Sequence, residues 1–377
     1  MKLQGNKFIL ISSHAQSLIN FRGDLIASLK KFGISVHVVT PKINKNSNDY
    51  KDLINLGVVV HQIPLNRKSI NPFFDLIYLL RLVGLFISIR PKYVMGYTVK
   101  PVIYGSIAAM ICRVPRNFSL ITGLGSFFGD ELNLTSKIIH KILSYLYRIA
   151  LSGSDKIFFQ NIDDSRFFLK NRIIKSLDKS EIVNGSGVNL EYYYKSPFPS
   201  EVSFLLISRL IKEKGVIEFS QAAKKIRSTY PNVKFILAGW YDDKSISNIT
   251  INSWVEDGRL VFLGKLEDVR DAIENCSVFV LPSFYREGVP RAILEAMSMG
   301  RAIITSDSPG CRETVINDIS GYLIKPKSSD ELMLAMLKFI KNNNLIHEMG
   351  KKSRQLAEDK FDVHKVNEAM LKGMNIS

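Results

Sequence analysis

Cysteine is scarce in this 377-residue chain: Cys112, Cys276 and Cys311 lie far apart with no C-x-x-C spacing. That excludes a disulfide framework and a thiolate zinc site, and suits a reducing compartment. No secretory leader is legible either. The opening MKLQGNKFILISSHAQ holds only a short apolar run, read as a first buried strand, so a cytoplasmic protein is expected. Long uninterrupted apolar runs are also missing. The longest, PFFDLIYLLRLVGLFISIRP at 72–91, is broken by Asp75 and Arg81, which makes a membrane-spanning helix costly and leaves a buried helix as the expectation. Acidic residues are few in the first half: residues 1–190 carry 11 Asp+Glu against 25 Lys+Arg, a balance of +14, whereas residues 191–377 carry 24 against 26. Such a basic half implies a polyanionic partner or surface: nucleic acid, an anionic membrane or diphosphate ligands.

What is present is a strong α/β alternation. KFILIS, VHVVT, VVVHQIPL, YVMGYT, NFSLIT and KIFFQN recur in the first half, and VSFLLIS, VKFILAG, LVFLGK, SVFVLPS, AIITSD and GYLIK in the second. These runs are continuously apolar, as strands covered on both faces by crossover helices must be. Two Rossmann-like, doubly wound parallel sheets follow, and the length suits two domains of roughly 180 residues each. The Gly-, Ser-, Pro- and Tyr-rich stretch 184–201 reads as the linker, which sets the domains at 1–190 and 191–360. In open α/β sheets ligands bind beyond the carboxyl ends of the strands, so two such domains are expected to face each other across a cleft.

The motif REGVPRAILEAMSMGRAI at 286–303 leaves the carboxyl end of SVFVLPS. Pro290 suits the first position of the helix that follows, and Gly300 suits its stop. Glu287 then lies in the loop and Glu295 more than one turn into the helix, with Gly288 and Val289 between them. First-turn amides beside Gly288 make a phosphate site. A carboxylate accepts two hydrogen bonds from a vicinal diol, so the pair suits a nucleotide sugar, with Glu295 on the ribose and Glu287 on the transferred sugar. A capping acid and a surface glutamate give the same spacing. Upstream, SRLIKEKG places Arg209 and Lys214 at another strand's end, where two fixed cations would neutralise a diphosphate leaving group; solvated loop charges would read alike. In the first half, Gly123 and Gly125 of ITGLGSFFGDE let backbone amides approach a ligand, and His14 follows the first strand, where it would touch an acceptor or a diphosphate; an ordinary strand-to-helix turn and a histidine that satisfies the loop backbone would read alike.

SRLIKEKG, AGW, FLG and EGVPRAILEAMSMGRAIITSDSPGCRETV, in this order and spacing, resemble the family-four retaining glycosyltransferases of the GT-B fold. The resemblance implies Arg209 and Lys214 on the diphosphate, Glu287 on the donor sugar, Glu295 on the ribose and the Leu263–Lys265 backbone on the base. It departs from the family pattern at Val289, where an aromatic is usual, at Arg301, where proline is usual, and at Cys311, where a second glycine is usual. SSHAQSLINFR, NPF and ITGLGSFFGDE are similar to bacterial N-acetylgalactosaminyltransferases acting on undecaprenyl-diphosphate-linked sugars. The implied partners are a UDP-sugar donor, with UDP-N-acetylgalactosamine the best reading and UDP-galactose, UDP-glucose or UDP-N-acetylglucosamine the alternatives, and a polyprenyl-diphosphate-linked acceptor. Residues 361–377 are expected to form a helix returning to the first domain.

A retaining transfer must stabilise charge growing on phosphate, a task Arg209, Lys214 and the helix amides meet without a metal or other cofactor. The acidic pairs Asp163-Asp164 and Asp242-Asp243 read as helix caps or solvated charge rather than metal ligands. A glycoside hydrolase also uses two carboxylates, but Glu287 and Glu295 leave one loop and helix instead of flanking a substrate. A nucleic-acid partner is not expected, since no aromatic-interleaved basic run accompanies the charge. The basic half reads instead as a surface for the anionic inner leaflet of the cell membrane. Its carrier is LNLTSKIIHKILSYLYRIAL at 132–151, on which Lys137, Lys141 and Arg148 share a stripe of about 40° beside an apolar face of Ile138, Ile142, Leu146 and Ile149; a packed helix with a solvated basic edge gives the same pattern, and the charge of the half favours the membrane.

Overall fold

A computed structural model describes residues 6–66, 71–125, 134–242 and 245–376, and the chain divides into two compact units, Met1–Ser186 with His364–Ser377, and Gly187–Val363. In the first unit the strands are β1 (Lys7–Ile11), β2 (Ser35–Thr40), β3 (Val59–Gln62), β4 (Tyr93–Tyr97), β5 (Arg116–Ile121), β6 (Lys156–Phe159) and β7 (Ser180–Ile182). They form one parallel sheet in the order β3-β2-β1-β4-β5-β6-β7. Between them run α1 (Ala15–Lys31), α2 (Asn48–Asn55), α3 (Pro72–Ile89), α4 (Val99–Ile111), α5 (Leu134–Ser152) and α6 (Ile162–Lys170). One sheet face packs on α1 and α2 through Leu18, Leu25, Ile26, Leu29 and Leu53. The other packs on α3 to α6 through Tyr78, Phe86, Val102, Tyr147 and Phe168.

The second unit holds β8 (Ser203–Arg209), β9 (Lys234–Trp240), β10 (Val261–Phe262), β11 (Val278–Leu281), β12 (Ala302–Ser306) and β13 (Gly321–Ile324), parallel in the order β10-β9-β8-β11-β12-β13. Its helices are α7 (Val216–Arg227), α8 (Asn248–Glu256), α9 (Arg270–Glu274), α10 (Arg291–Ser298), α11 (Ser329–Lys341) and α12 (Asn344–Leu356). The closing helix, α13 (Val363–Gly373), places Met370 and Leu371 in the core of the first unit. All twelve apolar runs read as strands contribute to the sheets, and β7, only three residues long, is the one strand they do not include.

The stretch 184–201 is less of a free linker than its composition suggests. From Gly187 onward it belongs to the second unit, and Ser196 and Pro197 are bound there by Arg301. The Arg301 side chain is fully buried, and it donates to the carbonyls of Ile273 at 2.9 Å, Glu274 at 3.1 Å, Ser196 at 3.3 Å and Pro197 at 2.8 Å. The guanidinium thus closes the carboxyl end of α9 against the segment entering the unit, which accounts for a cation where the family pattern has proline. Arg301→Met would strand these carbonyls in a dry site, so a loss of about 3 kcal/mol is expected in urea unfolding. A loss below ~1 kcal/mol would show that water replaces the guanidinium.

The helix at 72–89 departs from the expectation of a buried one. Asn71 caps it by accepting from the Phe73 amide at 3.0 Å, with Pro72 at its first position. Tyr78, Leu82, Phe86 and Ile89 face the core, yet Phe73, Phe74, Leu76, Leu80 and Ile87 are each more than half exposed. Mean hydropathy reports composition and not direction, so a helix apolar on both sides reads as buried. Asp75 is tolerated because Lys100 Nζ lies 2.5 Å from it and the Tyr104 hydroxyl donates to it at 3.0 Å.

At the β3 edge of this sheet His37 on β2 and His61 on β3 stack with centroids 5.2 Å apart, Nδ1 of one 2.9 Å from Nε2 of the other. Burial, then the charge of His61 and of Lys7, lower His37 to about 4. Its folded pKa thus lies below its unfolded one, near 6.5, so the unfolded chain binds the extra proton first and stability falls as pH drops from about 6.5 toward 4. By pH 5 the expected loss is about 2 kcal/mol. Urea midpoints at pH 7.5 and 5 check this, and the difference should shrink by that amount in His37→Gln.

Candidate active site

Strand order decides what meets at the carboxyl ends of the second sheet. Because β8 lies beside β11, the loop bearing Lys214 reaches the loop bearing Glu287. Gly215, at φ 75°, makes that approach possible: a Cβ there would stand 2.3 Å from the Pro282 carbonyl oxygen. The two loops are then laced together, with the amides of Phe284 and Tyr285 donating to the Glu213 carbonyl at 2.9 and 3.1 Å.

Within this frame Lys214 Nζ donates to both oxygens of Glu287, at 2.7 and 2.6 Å, and the Ser283 hydroxyl lies 3.0 Å from Oε1. Both side chains are largely buried, at 11% and 17% exposure, so little water screens the pair. Arg209, at the end of β8, donates to Asp242 Oδ2 at 3.2 Å. The Tyr285 ring carries the guanidinium of Arg209 at 5.3 Å and the ammonium of Lys214 at 5.7 Å from its centroid. The structure therefore brings Arg209, Lys214 and Glu287 together, and each of the two cations is matched to a carboxylate. Asp242 thereby enters the site, whereas Asp243 lies outside the described residues. Asp163 and Asp164 sit in the first turn of α6, but the cap is Asn161, which accepts from the Asp164 amide at 2.7 Å and donates to the Asp164 carboxylate at 3.0 Å.

The helix after Glu287 starts one residue later than expected, with Pro290 at the N-cap and Arg291 as the first helical residue. Pro290 offers no capping side chain. Gly300, at φ 83°, ends the helix where a left-handed residue is needed. Gly288 and Val289 are buried, and the Gly288 carbonyl presses on Gly310, where a Cβ would come within 1.5 Å of it. Gly310 sits at φ 83°, so only glycine fits. Cys311 beside it has φ −74° and needs no glycine, and the Ser308 hydroxyl ties the same loop to the Ser283 carbonyl at 2.8 Å.

Glu295 lies in a neighbouring polar cluster. Its Oε1 accepts from the Tyr193 hydroxyl at 2.9 Å and from Arg291 Nε at 3.1 Å. Burial pushes its carboxyl up, while Arg291 and Tyr193 pull it back. Leu263 and Lys265 are exposed at the end of β10, where the Leu263 amide donates to Leu237 and the Gly264 carbonyl accepts from Gly239 at 2.8 Å.

In the first unit His14 is exposed at the N-cap of α1, and its side chain does not cap the helix. Ser12 accepts from the His14 amide at 3.0 Å, and Thr98 donates to Ser13 at 3.0 Å, which fixes this loop to the end of β4. Gly123 and Gly125 follow β5 at φ 109° and 64°, flanking buried Leu124; residues 126–133 lie outside the described residues. On α5, Lys137, Lys141 and Arg148 are exposed, Arg148 Nε donating to the Arg172 carbonyl at 2.8 Å. Ile138 and Ile142 are exposed beside them, whereas Leu146 and Ile149 are half-buried.

Sequence reasoning assigned no role to Ser283, Tyr285, Tyr193, Arg291 or Gly310. Two of them carried a usable signal: Gly310, a glycine shortly past the end of a buried strand, and Arg291, four residues before Glu295 on the same helix. Among the described residues no group of three or more His, Cys, Asp or Glu side chains is arranged to hold a metal ion.

Comparison with known proteins adds to this geometry. Residues 195–356 match the family described as "Glycosyl transferases group 1", and residues 9–161 the one described as "Glycosyl transferase 4-like". The chain is 27% identical over 359 residues to the N,N'-diacetylbacillosaminyl-diphospho-undecaprenol alpha-1,3-N-acetylgalactosaminyltransferase of Campylobacter jejuni, covering 91% of this chain and 92% of that one. It is 25% identical over 340 residues to the UDP-Gal:alpha-D-GlcNAc-diphosphoundecaprenol alpha-1,3-galactosyltransferase of Escherichia coli, covering 86% and 85%. Its fold matches the crystal structure of Anabaena Alr3699/HepE in complex with UDP-glucose at a TM-score of 0.74, 16% identity and coverage of 98% and 99%.

Proposed function

From the premise that this chain belongs to the GT-B glycosyltransferases of the glycosyl transferase 4-like and group 1 families, we propose a retaining, metal-independent hexosyltransferase acting on lipid-linked sugars. It moves a sugar in alpha linkage from a UDP-sugar, best read as UDP-N-acetylgalactosamine, to an undecaprenyl-diphosphate-linked saccharide during O-antigen, capsule or glycan-precursor assembly. UDP-galactose is the second reading, favoured by the E. coli relative.

The observation that carries the proposal is the Lys214–Glu287 pair beside Arg209. A departing UDP gathers negative charge, and Lys214, Arg209 and the first-turn amides of α10, whose N-cap Pro290 makes no side-chain cap, are donors for it. An ammonium has three donors, two of which point at Glu287, leaving the third for a phosphate oxygen. Glu287, held by Lys214 and Ser283, accepts from hydroxyls of the donor sugar, Glu295 from the ribose, and the Leu263–Lys265 backbone from the base. No side chain here is assigned as the base that takes the acceptor proton; the leaving phosphate takes it. His14, Gly123 and Gly125 in the first unit serve the acceptor. That unit docks peripherally on the anionic cytoplasmic face of the membrane, supported by its charge and by the exposed apolar side chains of α3 and α5.

The test is to incubate the protein and its His14→Ala variant with a panel of UDP-sugars and synthetic polyprenyl-diphosphate monosaccharides, with EDTA and with Mn²⁺, and to solve the products by mass and NMR. An alpha-linked product formed in EDTA supports the proposal. A beta-linked product, an absolute need for Mn²⁺ or release of free sugar alone overturns it. Near-full activity of His14→Ala would exclude His14 as an essential group.

A further inference from the structure

Glu295 Oε1 already accepts two hydrogen bonds, from the Tyr193 hydroxyl and from Arg291 Nε, which uses both of its lone pairs. Oε2 has no hydrogen-bond partner among the described residues. Only one edge of the carboxylate is therefore open to a ligand. The two donors are themselves fixed. Arg291 also donates from Nη1 to the Gly187 carbonyl and lies over the Tyr193 ring, 5.7 Å from its centroid. The Tyr193 backbone is held at both ends, its amide on the Asn189 carbonyl at 2.9 Å and its carbonyl by the Ser298 hydroxyl at 2.6 Å and Arg354 Nη1 at 3.3 Å.

We propose that Tyr193 and Arg291 are positioning residues for nucleotide binding, holding Glu295 so that Oε2 alone is presented, as an ionised acceptor, to the 2′,3′-diol of a ribose. The inference rests on the reading of Glu295 as the ribose ligand. Its electrostatic side follows from the groups that face the carboxylate. Burial favours the neutral acid, and the charge of Asp268, from the stretch before α9, acts in the same sense. Arg291 on its own helix and Tyr193 from the segment entering the unit oppose them. Without Arg291 the carboxyl moves further up, so its protonated form, which offers a donor where the diol needs an acceptor, sets in at a higher pH.

The experiment measures, by calorimetry from pH 5.5 to 8.5, the affinity of the protein for UDP and for 2′,3′-dideoxy-UDP. Unmodified protein should prefer UDP by about tenfold or more at pH 7.5, as expected for buried charge-assisted hydrogen bonds. In Arg291→Met the preference should be lost with a midpoint at a higher pH than in the unmodified protein, because the charge that opposes burial of the carboxyl is gone. Arg291→Lys should stay close to the unmodified protein, and Tyr193→Phe should move the midpoint the same way by less. Glu295→Gln should lose the preference at every pH. If Glu295→Gln keeps it, the ribose reading fails and the inference with it. If Glu295→Gln loses it while Arg291→Met and Tyr193→Phe keep the original midpoint, or lose affinity equally for both ligands at all pH values, the positioning role alone is overturned.

Discussion

Glu287→Gln should abolish most transfer while leaving UDP bound as tightly as before, or tighter. Glu287 is assigned to the sugar side of the site, so its loss removes an interaction with the reacting sugar; losing one such preorganised group lowers turnover by about 10²–10³. The same carboxylate holds both of its oxygens against Lys214 Nζ. An amide carries no charge to match the ammonium, so Lys214 is freed for the diphosphate. Glu295→Ala should behave in the opposite way, weakening UDP by about 1.5–3 kcal/mol, the usual range for charge-assisted hydrogen bonds, with a smaller effect on turnover at saturating donor. Calorimetry with UDP beside single-turnover rates separates the two. The reverse pattern, UDP binding lost in Glu287→Gln and transfer lost at full UDP affinity in Glu295→Ala, would mean the roles are exchanged.

Reversing Lys137, Lys141 and Arg148 together to Glu should lower binding to phosphatidylglycerol vesicles far beyond tenfold. Each basic side chain near an anionic surface contributes about 1 kcal/mol, and reversal adds repulsion to the loss. All three are exposed on α5, beside exposed Ile138 and Ile142. A second variant, Phe73→Ser with Phe74→Ser and Leu80→Ser, tests the apolar contribution of α3, whose outward side chains the sequence reading took as buried. It should weaken binding at high salt, where charge is screened and buried apolar area remains. Turnover of a short-chain, detergent-soluble acceptor should survive both sets of changes. Unchanged sedimentation of the α5 variant with phosphatidylglycerol vesicles would remove that helix from the membrane surface.

Much of the site was legible because its residues follow strands. A continuously apolar run of four to seven residues marks a buried parallel strand, and ligands gather beyond the carboxyl ends of such strands. Arg209, Lys214 and Glu287 stand out as candidates on that ground, although a capping acid and solvated loop charges would read alike. Their pairing does not, since it depends on β8 lying beside β11, a neighbourhood between segments about 70 residues apart. Asp242 shows the same limit: read as a solvated acid, it is the partner of Arg209 because β9 flanks β8.

The sequence by itself determined the class of fold, twelve of the thirteen strands among the described residues, the glycine that ends α10 and the basic character of the first half, because each is a local or summed property of the chain. The tertiary structure alone decided that Lys214 clasps Glu287, that Tyr193 joins Arg291 on one oxygen of Glu295, that Gly310 must admit the Gly288 carbonyl, and that α3 turns five large apolar side chains outward. Hydrogen bonds and ion pairs act over about 3 Å between groups distant in sequence, and exposure depends on which neighbours cover a face; neither is encoded in a period of two or of 3.6 residues.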